Sequence, residues 1–138
     1  MDMKLELVIL PVSDVDRAKA FYEQAGFRVD VDHRAGEEFR VVQLTPPGSA
    51  CSITIGTGIG CAAAPGSYAG LHLVVVDLEA ALATLGERGI EVSEPFHFGG
   101  QGQTPGLHPE RTDYGSFASF NDPDGNAWLL QEVGQHVR

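Results

Sequence analysis

Basic side chains are scarce in this chain. Nine lysines and arginines stand against 19 acids, a formal net charge of −10 over 138 residues. Nucleic acid needs lysine and arginine to neutralise its phosphates, so it is not an expected partner. The acidity is compatible with a cationic ligand, although solubility alone accounts for it. Long apolar runs are also missing: no stretch of 18 apolar residues occurs, so no transmembrane helix and no membrane partner are expected. The opening residues, MDMKLEL, carry acids and run into a strand-like pattern, unlike a signal peptide, and a cytoplasmic location is expected. Cysteine is limited to Cys51 and Cys61 with no second pair. These make neither a zinc knuckle nor a CxxC redox motif and read as buried free thiols.

What the chain does have is one pattern written twice. VSDVDRAKAFYEQAGFRV at 12–29 is matched 63 residues later by VVDLEAALATLGERGIEV at 75–92. Val12/Val75, Asp14/Asp77, Ala18/Ala81, Ala20/Ala83, Gly26/Gly89 and Val29/Val92 fall in register. A long period occurring twice marks a duplicated supersecondary unit. At 43% hydrophobic and 20% charged, the chain has an ordinary globular composition, and residues 1–138 are expected to form a single domain.

The first module, 1–56, opens with an apolar strand over 4–12. Ser13 and Asp14 are natural helix caps, and Asp16 and Asp77 are read as caps too, because short polar side chains accept the free N–H groups of a first turn. Val15, Ala18, Phe21, Tyr22 and Ala25 recur at helical spacing, and Gly26 ends the helix. Strands are expected over 27–32, 39–45 and 51–56. Residues 57–69 are small and punctuated by glycine and proline, as a linker is. The second module, 70–138, repeats the order: strand 70–76, a helix with Leu78, Ala81, Leu82 and Leu85 on one face, strand 90–95, a long loop over 97–113, then strands 114–120 and 126–133. A loop of that length is a lid, a binding loop or a plain insertion. TPPGSACSITI from residue 45 lies over NDPDGNAWLLQ from residue 121, with Pro46/Pro123 and Gly48/Gly125 matched at an offset of 77. Asp122 and Asp124 invite a metal reading, but Asp-Pro-Asp-Gly is a tight turn in which Asp side chains satisfy backbone N–H groups.

VSDVDRAKAFYEQAGF at 12–27 resembles the first helix of the glyoxalase/bleomycin-resistance/extradiol-dioxygenase group, the vicinal oxygen chelate superfamily, and NDPDGN at 121–126 resembles its signature turn before the last strand. With the duplication, the resemblance covers nearly the whole chain. It implies an α+β fold of two tandem βαβββ modules forming a curved eight-stranded sheet around a cleft, and a homodimer. Members include lyases, isomerases, ring-cleaving dioxygenases, thiol transferases and non-catalytic drug-binding proteins, among which fold alone does not choose.

In the enzymes of that group the resemblance implies a divalent metal held by His, Glu or Gln from the first and last strand of each module. Carried onto this sequence, the four positions are Leu7, Ser52, Gly70 and Leu129, none a competent ligand. No cofactor is therefore expected. Alternate side chains on a strand share a face. This places Leu5, Leu7, Ile9, Ser52, Thr54, Gly70, His72, Val74, Leu129 and Gln131 toward the cleft, with Val8, Leu10, Leu71, Leu73, Val75, Trp128 and Leu130 against the helices and Glu132 facing away. Arg40, Arg111 and Tyr114 are candidates for the cleft mouth. His72 is the candidate catalytic residue, since a neutral imidazole serves as general base near neutral pH; a hydrogen-bonded structural role is its plainer reading.

The expected function is a binder of a small apolar or cationic molecule without the family metal. One alternative is a metal-dependent lyase or ring-cleaving dioxygenase with displaced ligands, drawing on His72 and on loop residues such as His97 and His108. Another is a metal-free isomerase or hydrolase with His72 as base.

Overall fold

In the computed structural model, which describes residues 1–134, both helices start at the expected aspartates. Asp14 is extended (φ −138°) and its carboxylate accepts the Arg17 N–H at 3.0 Å; Asp77 (φ −133°) does the same for Ala80 at 3.1 Å. Gly26, at φ 110°, ends the first helix in the left-handed conformation that an L side chain avoids. Asp16 is not a cap. It lies inside the first turn and its carboxylate pairs with Arg40 at 2.6 Å.

The chain divides into two compact units. The first takes residues 1–68 together with 122–126, and contains β1 (Leu7–Ile9), α1 (Val15–Ala25), β2 (Arg28–Arg34), β3 (Arg40–Thr45) and β4 (Ser52–Thr57). Its sheet order is β1-β4-β3-β2, with β1 parallel to β4 and the other neighbours antiparallel. Helix α1 packs on β3 and β4, burying Ala18, Tyr22 and Ala25 among Val42, Leu44, Ile53 and Ile55. Strand β1 is shorter than expected, and Leu5 lies outside it, 71% exposed. Arg40 points to the helix side, 8% exposed, with its guanidinium on Asp32 and Asp16. It is thus not a mouth residue.

Turn 122–126 is built into this unit. The Asp122 carboxylate accepts the Asp124 and Asn126 N–H groups at 3.0 and 2.9 Å, the Asn126 side-chain amide at 2.9 Å and the Tyr22 hydroxyl at 2.8 Å. Asn126 also donates to the Pro11 carbonyl and accepts from the Tyr68 N–H. Asp124 also accepts a backbone N–H, that of Ser13 at 3.1 Å rather than one of its own turn, and its carboxylate takes the Ser13 hydroxyl and Arg17 as well. Gly66 lies against this turn at φ +80°, and a Cβ there would stand 2.0 Å from the Asp124 carbonyl oxygen.

The second unit contains β5 (Leu71–Val75), α2 (Leu78–Glu87), β6 (Phe96–Gly99), β7 (Gly102–Pro105), β8 (Ser116–Asn121) and β9 (Ala127–Glu132). Its order is β5-β9-β8-β6-β7. Trp128 is core, 3% exposed and stacked on Phe120 with ring centroids 5.9 Å apart. The expected strand over 90–95 is irregular backbone, held to β8 through Ser93 and Ser119. The strand starts at Phe96 instead, just before the segment read as a loop, runs into that segment and turns at Gly99–Gly102 into β7. The described residues therefore carry nine strands, in a four-stranded and a five-stranded sheet, rather than eight. The βαβββ pattern holds, with the β6–β7 hairpin adding a strand to the second copy. Cys51 and Cys61 are free, as expected, but half-buried. No described helix is long and apolar enough to cross a membrane. Residues 135–138 of the expected second module lie outside the described residues.

Candidate functional site

Strand alternation decides which side chains leave the helix-covered face. In the first unit Leu7 pairs with Ser52 and Ile9 with Thr54 across β1 and β4, so all four lie on the face away from α1. Gln43, opposite Thr54, donates to Ser52 Oγ at 3.3 Å. The Ser52 and Thr45 hydroxyls are 2.6 Å apart, and Thr45 donates to the Asp30 carboxylate. Because the Thr45 proton goes to Asp30, Ser52 must donate to Thr45. Ser52 is thus engaged within the sheet. The Thr45 hydroxyl, followed by Arg28, holds the Asp30 carboxyl below its ordinary range. Thr54 Oγ1 is buried with no hydrogen-bond partner.

In the second unit His72 pairs with Leu129 and Val74 with Gln131, while Phe117 lies opposite Gln131 and Ser119 opposite Leu129. These residues share the face away from α2. Gly70 precedes β5 at φ 81°. The hairpin adds Phe96 and Phe98 to the same face. Phe96 stacks on Phe117 at 5.7 Å between centroids, Phe98 meets Phe117 at 5.3 Å, and Phe96 and Phe98 are 5.9 Å apart. Phe98 is 58% exposed and Val74 48%. A groove of about 340 Å³ runs along Phe96, lined by Pro95, Gln103, Pro105 and Ser119. That volume falls in the range of small-molecule pockets, about 300–1,000 Å³.

His72 is not alone. Its Nδ1 lies 3.0 Å from Gln131 Oε1, and Gln131 Nε2 donates to the Tyr114 carbonyl at 3.1 Å. Tyr114 sits in the left-handed region at φ 64°, and its own N–H donates to the Glu132 carbonyl at 2.7 Å. Glu132 faces the helix side, as expected, and is buried. Its carboxylate accepts the Leu78 N–H at 2.8 Å and the Arg111 guanidinium at 2.8 and 2.6 Å, and Arg111 holds its carboxyl below the ordinary value. Arg111 therefore tethers the loop instead of lining the open face, to which Tyr114 contributes its backbone carbonyl. His97 Nδ1 donates to the Gly106 carbonyl at 2.7 Å, and His108 Nδ1 accepts the Glu110 N–H.

The paired positions differ in level from the sequence expectation. Leu129 pairs with His72, not with Gly70. Eight residues separate the paired Leu44 and Ile53 (45–52), but seven separate Phe120 and Trp128 (121–127). The position matching Leu129 is therefore Thr54, not Ser52, a shift of two that keeps the face. The matching pairs are thus Ile9 with Thr54 in the first unit and His72 with Leu129 in the second, and of these four only His72 is a metal-ligating residue. Among the described residues no group of three or more His, Cys, Asp and Glu side chains is arranged to hold a metal ion.

The aromatic cluster was missed by sequence reading because Phe98 lies in the segment taken as a loop and Phe96 at its edge, so that neither was set beside Phe117 of the expected strand 114–120. The alternation of Phe96 and Phe98 about His97 was the available signal.

A second depression in the first unit, about 320 Å³, is lined by Asp14, Asp16, Arg34, Glu37 and Arg40. Its central charges are already paired, Arg40 with Asp16 at 2.6 Å and with Asp32 at 3.0 Å.

Comparison with known proteins agrees with this architecture. YetH of Bacillus subtilis (strain 168), itself uncharacterized, is 26% identical over 133 residues, covering 96% of this chain and 100% of YetH. The crystal structure of TnmS3, an antibiotic binding protein from Streptomyces sp. CB03234, is 33% identical with a TM-score of 0.73, covering 96% of this chain and 98% of TnmS3. A glyoxalase/bleomycin resistance protein from the same organism is 34% identical with a TM-score of 0.69, over 94% of this chain and 100% of that one. The family model for the Glyoxalase/Bleomycin resistance protein/Dioxygenase superfamily matches residues 4–130, and the chain belongs to that superfamily.

Proposed function

We propose that the protein binds a small aromatic molecule without a divalent metal and without transforming it. The observation that carries this reading is the cluster of Phe96, Phe98 and Phe117 on the open face of the second sheet, beside His72 and Gln131. Apolar rings with a few oriented polar groups are the usual lining of a small-molecule site. The similarity to an antibiotic binding protein supports the same class. The donor set does not fit the family metal: Leu7, Ile9, Ser52, Thr54, Gly70 and Leu129 stand at the positions concerned, which leaves His72 as the one metal-ligating side chain among them. The family resemblance supports a homodimer, which light scattering on the eluting protein would test.

The primary experiment measures metal content after purification without chelator or histidine tag, then thermal stability with added Zn, Ni, Mn or Fe(II), and with a panel of polycyclic aromatic antibiotics. Expected are far less than one ion per chain, no stabilisation by metal, and stabilisation by at least one aromatic compound. A ligand at about 100 times its Kd contributes about 2.7 kcal/mol to stability. One tightly held ion per chain would overturn the metal-free reading and turn attention to lyase and dioxygenase assays.

A second reading, a metal-free isomerase or hydrolase, is favoured by the orientation of His72, whose imidazole is held at one nitrogen and exposed. Turnover that His72→Ala abolishes while ligand binding persists would establish it.

A further inference from the structure

The polar chain from Tyr114 through Gln131 to His72 has a direction that chemistry alone assigns. A backbone carbonyl only accepts, so the Gln131 nitrogen must face the Tyr114 carbonyl, 3.1 Å away. The Gln131 oxygen is thereby turned to His72, at 3.0 Å. That oxygen also only accepts, so His72 Nδ1 must carry the proton. In the neutral ring the remaining nitrogen, Nε2, then presents a lone pair. A histidine with no partner favours the opposite tautomer in water, so the protein reverses the default. The anchor of the chain is firm at its far end. Tyr114 is fixed at φ 64° by its N–H on the Glu132 carbonyl, and the adjoining loop by the paired hydrogen bonds of Arg111 to the buried Glu132 carboxylate. Gln131 also lies directly opposite Phe117, so the oriented imidazole and the phenylalanine rings belong to one stretch of sheet.

We infer that Gln131 is a specificity-determining residue: by holding His72 as an acceptor at Nε2, it selects aromatic ligands that carry a hydrogen-bond donor, phenols above all, over the same ring systems without one. This rests on the reading of the face as an aromatic-binding site and deepens it by naming the ligand class. An aromatic ring stacks on the exposed Phe98 and its neighbours. Its hydroxyl donates to His72 Nε2. A ligand offering only acceptors in that place meets lone pair against lone pair, and the mismatch leaves both groups without a partner.

The test has two arms. In the first, nitrogen-15 NMR of the imidazole groups is recorded at a pH where histidine is neutral, with His72 assigned by its loss in His72→Ala. The Nδ1–H tautomer is expected in the wild-type protein, and a return to Nε2–H in Gln131→Leu. An Nε2–H tautomer in the wild type overturns the inference, and this reading does not depend on Gln131→Leu folding well. In the second arm, calorimetry compares 2-naphthol, its methyl ether and naphthalene. The naphthol is expected to bind about tenfold more tightly than the ether, as one neutral hydrogen bond of about 1.4 kcal/mol gives. The ratio is expected to fall to about one in Gln131→Leu and in His72→Ala. Equal binding of naphthol and ether to the wild type, with both bound, overturns the role of Gln131 and leaves the aromatic site standing. Binding of none of the three overturns the aromatic-site reading itself, whatever the tautomer.

Discussion

Asp122 shows most plainly how one side chain can have a local and a distant role. Its local role, accepting the Asp124 and Asn126 N–H groups, is readable in Asp-Pro-Asp-Gly. Its bond to the Tyr22 hydroxyl, 100 residues away, is not, because nothing in a turn motif specifies what packs on it. Asp122→Ala removes four hydrogen bonds and leaves buried donors unmet, so a loss of about 3 kcal/mol or more in urea unfolding is expected. Thr54 is the opposite case: its hydroxyl is buried and unpartnered, and the residue is 5% exposed. Thr54→Val keeps the shape and removes the unmet group, so stability is expected to rise by about 1 kcal/mol, read as an increase in the urea midpoint at unchanged slope. A loss of stability would mean that the hydroxyl is hydrogen-bonded in solution.

At the scale of elements, the helices were readable and one hairpin was not. Asp14, Asp77 and Gly26 act within three or four residues of themselves, so their effect is written locally. The β6–β7 hairpin is only four residues a side, and its glycine, glutamine and proline content resembles a loop. It becomes a strand pair because Phe96 and His97 dock on Phe117 and Ser116 of β8, a long-range pairing. The hairpin also gives the clearest separation of binding from folding. Phe98 is mostly exposed, so Phe98→Ala is expected to change stability by no more than about 0.5 kcal/mol. If the ring anchors ligand, the same substitution weakens binding of 2-naphthol by about tenfold or more. Undiminished binding would remove Phe98 from the site.

At the scale of the whole molecule, the excess of acid has a thermodynamic consequence. Arg40 holds the carboxyls of Asp16 and Asp32 below their ordinary value, Thr45 does so for Asp30 and Arg111 for Glu132. Groups with a lowered folded-state pKa contribute stability that is present above their unfolded values, near 4, and lost as pH falls below them. The melting temperature is therefore expected to fall from about pH 5 downward. Glu132→Gln is expected to be less stable than the wild type at pH 7 and to lose less on acidification; an unchanged pH profile would mean that Glu132 does not contribute to acid sensitivity.

Duplication, helix caps, strand alternation and the family turn were all determined by the sequence alone, because each is a repeating or short-range pattern. They sufficed for the α+β class, the superfamily and the face on which His72, Leu129 and Gln131 lie. Tertiary structure decided the rest. Strand pairing set Ile53 against Trp128 in the repeat, an offset of 75 in place of the 77 read from the turns, so that Thr54 rather than Ser52 answers Leu129. Tertiary structure did more. It gave His72 a partner in Gln131, 59 positions along the chain, and turned Arg40 and Arg111 away from the open face. Such pairings depend on which strands meet and in what register, and that is settled only when residues far apart in the chain are buried together.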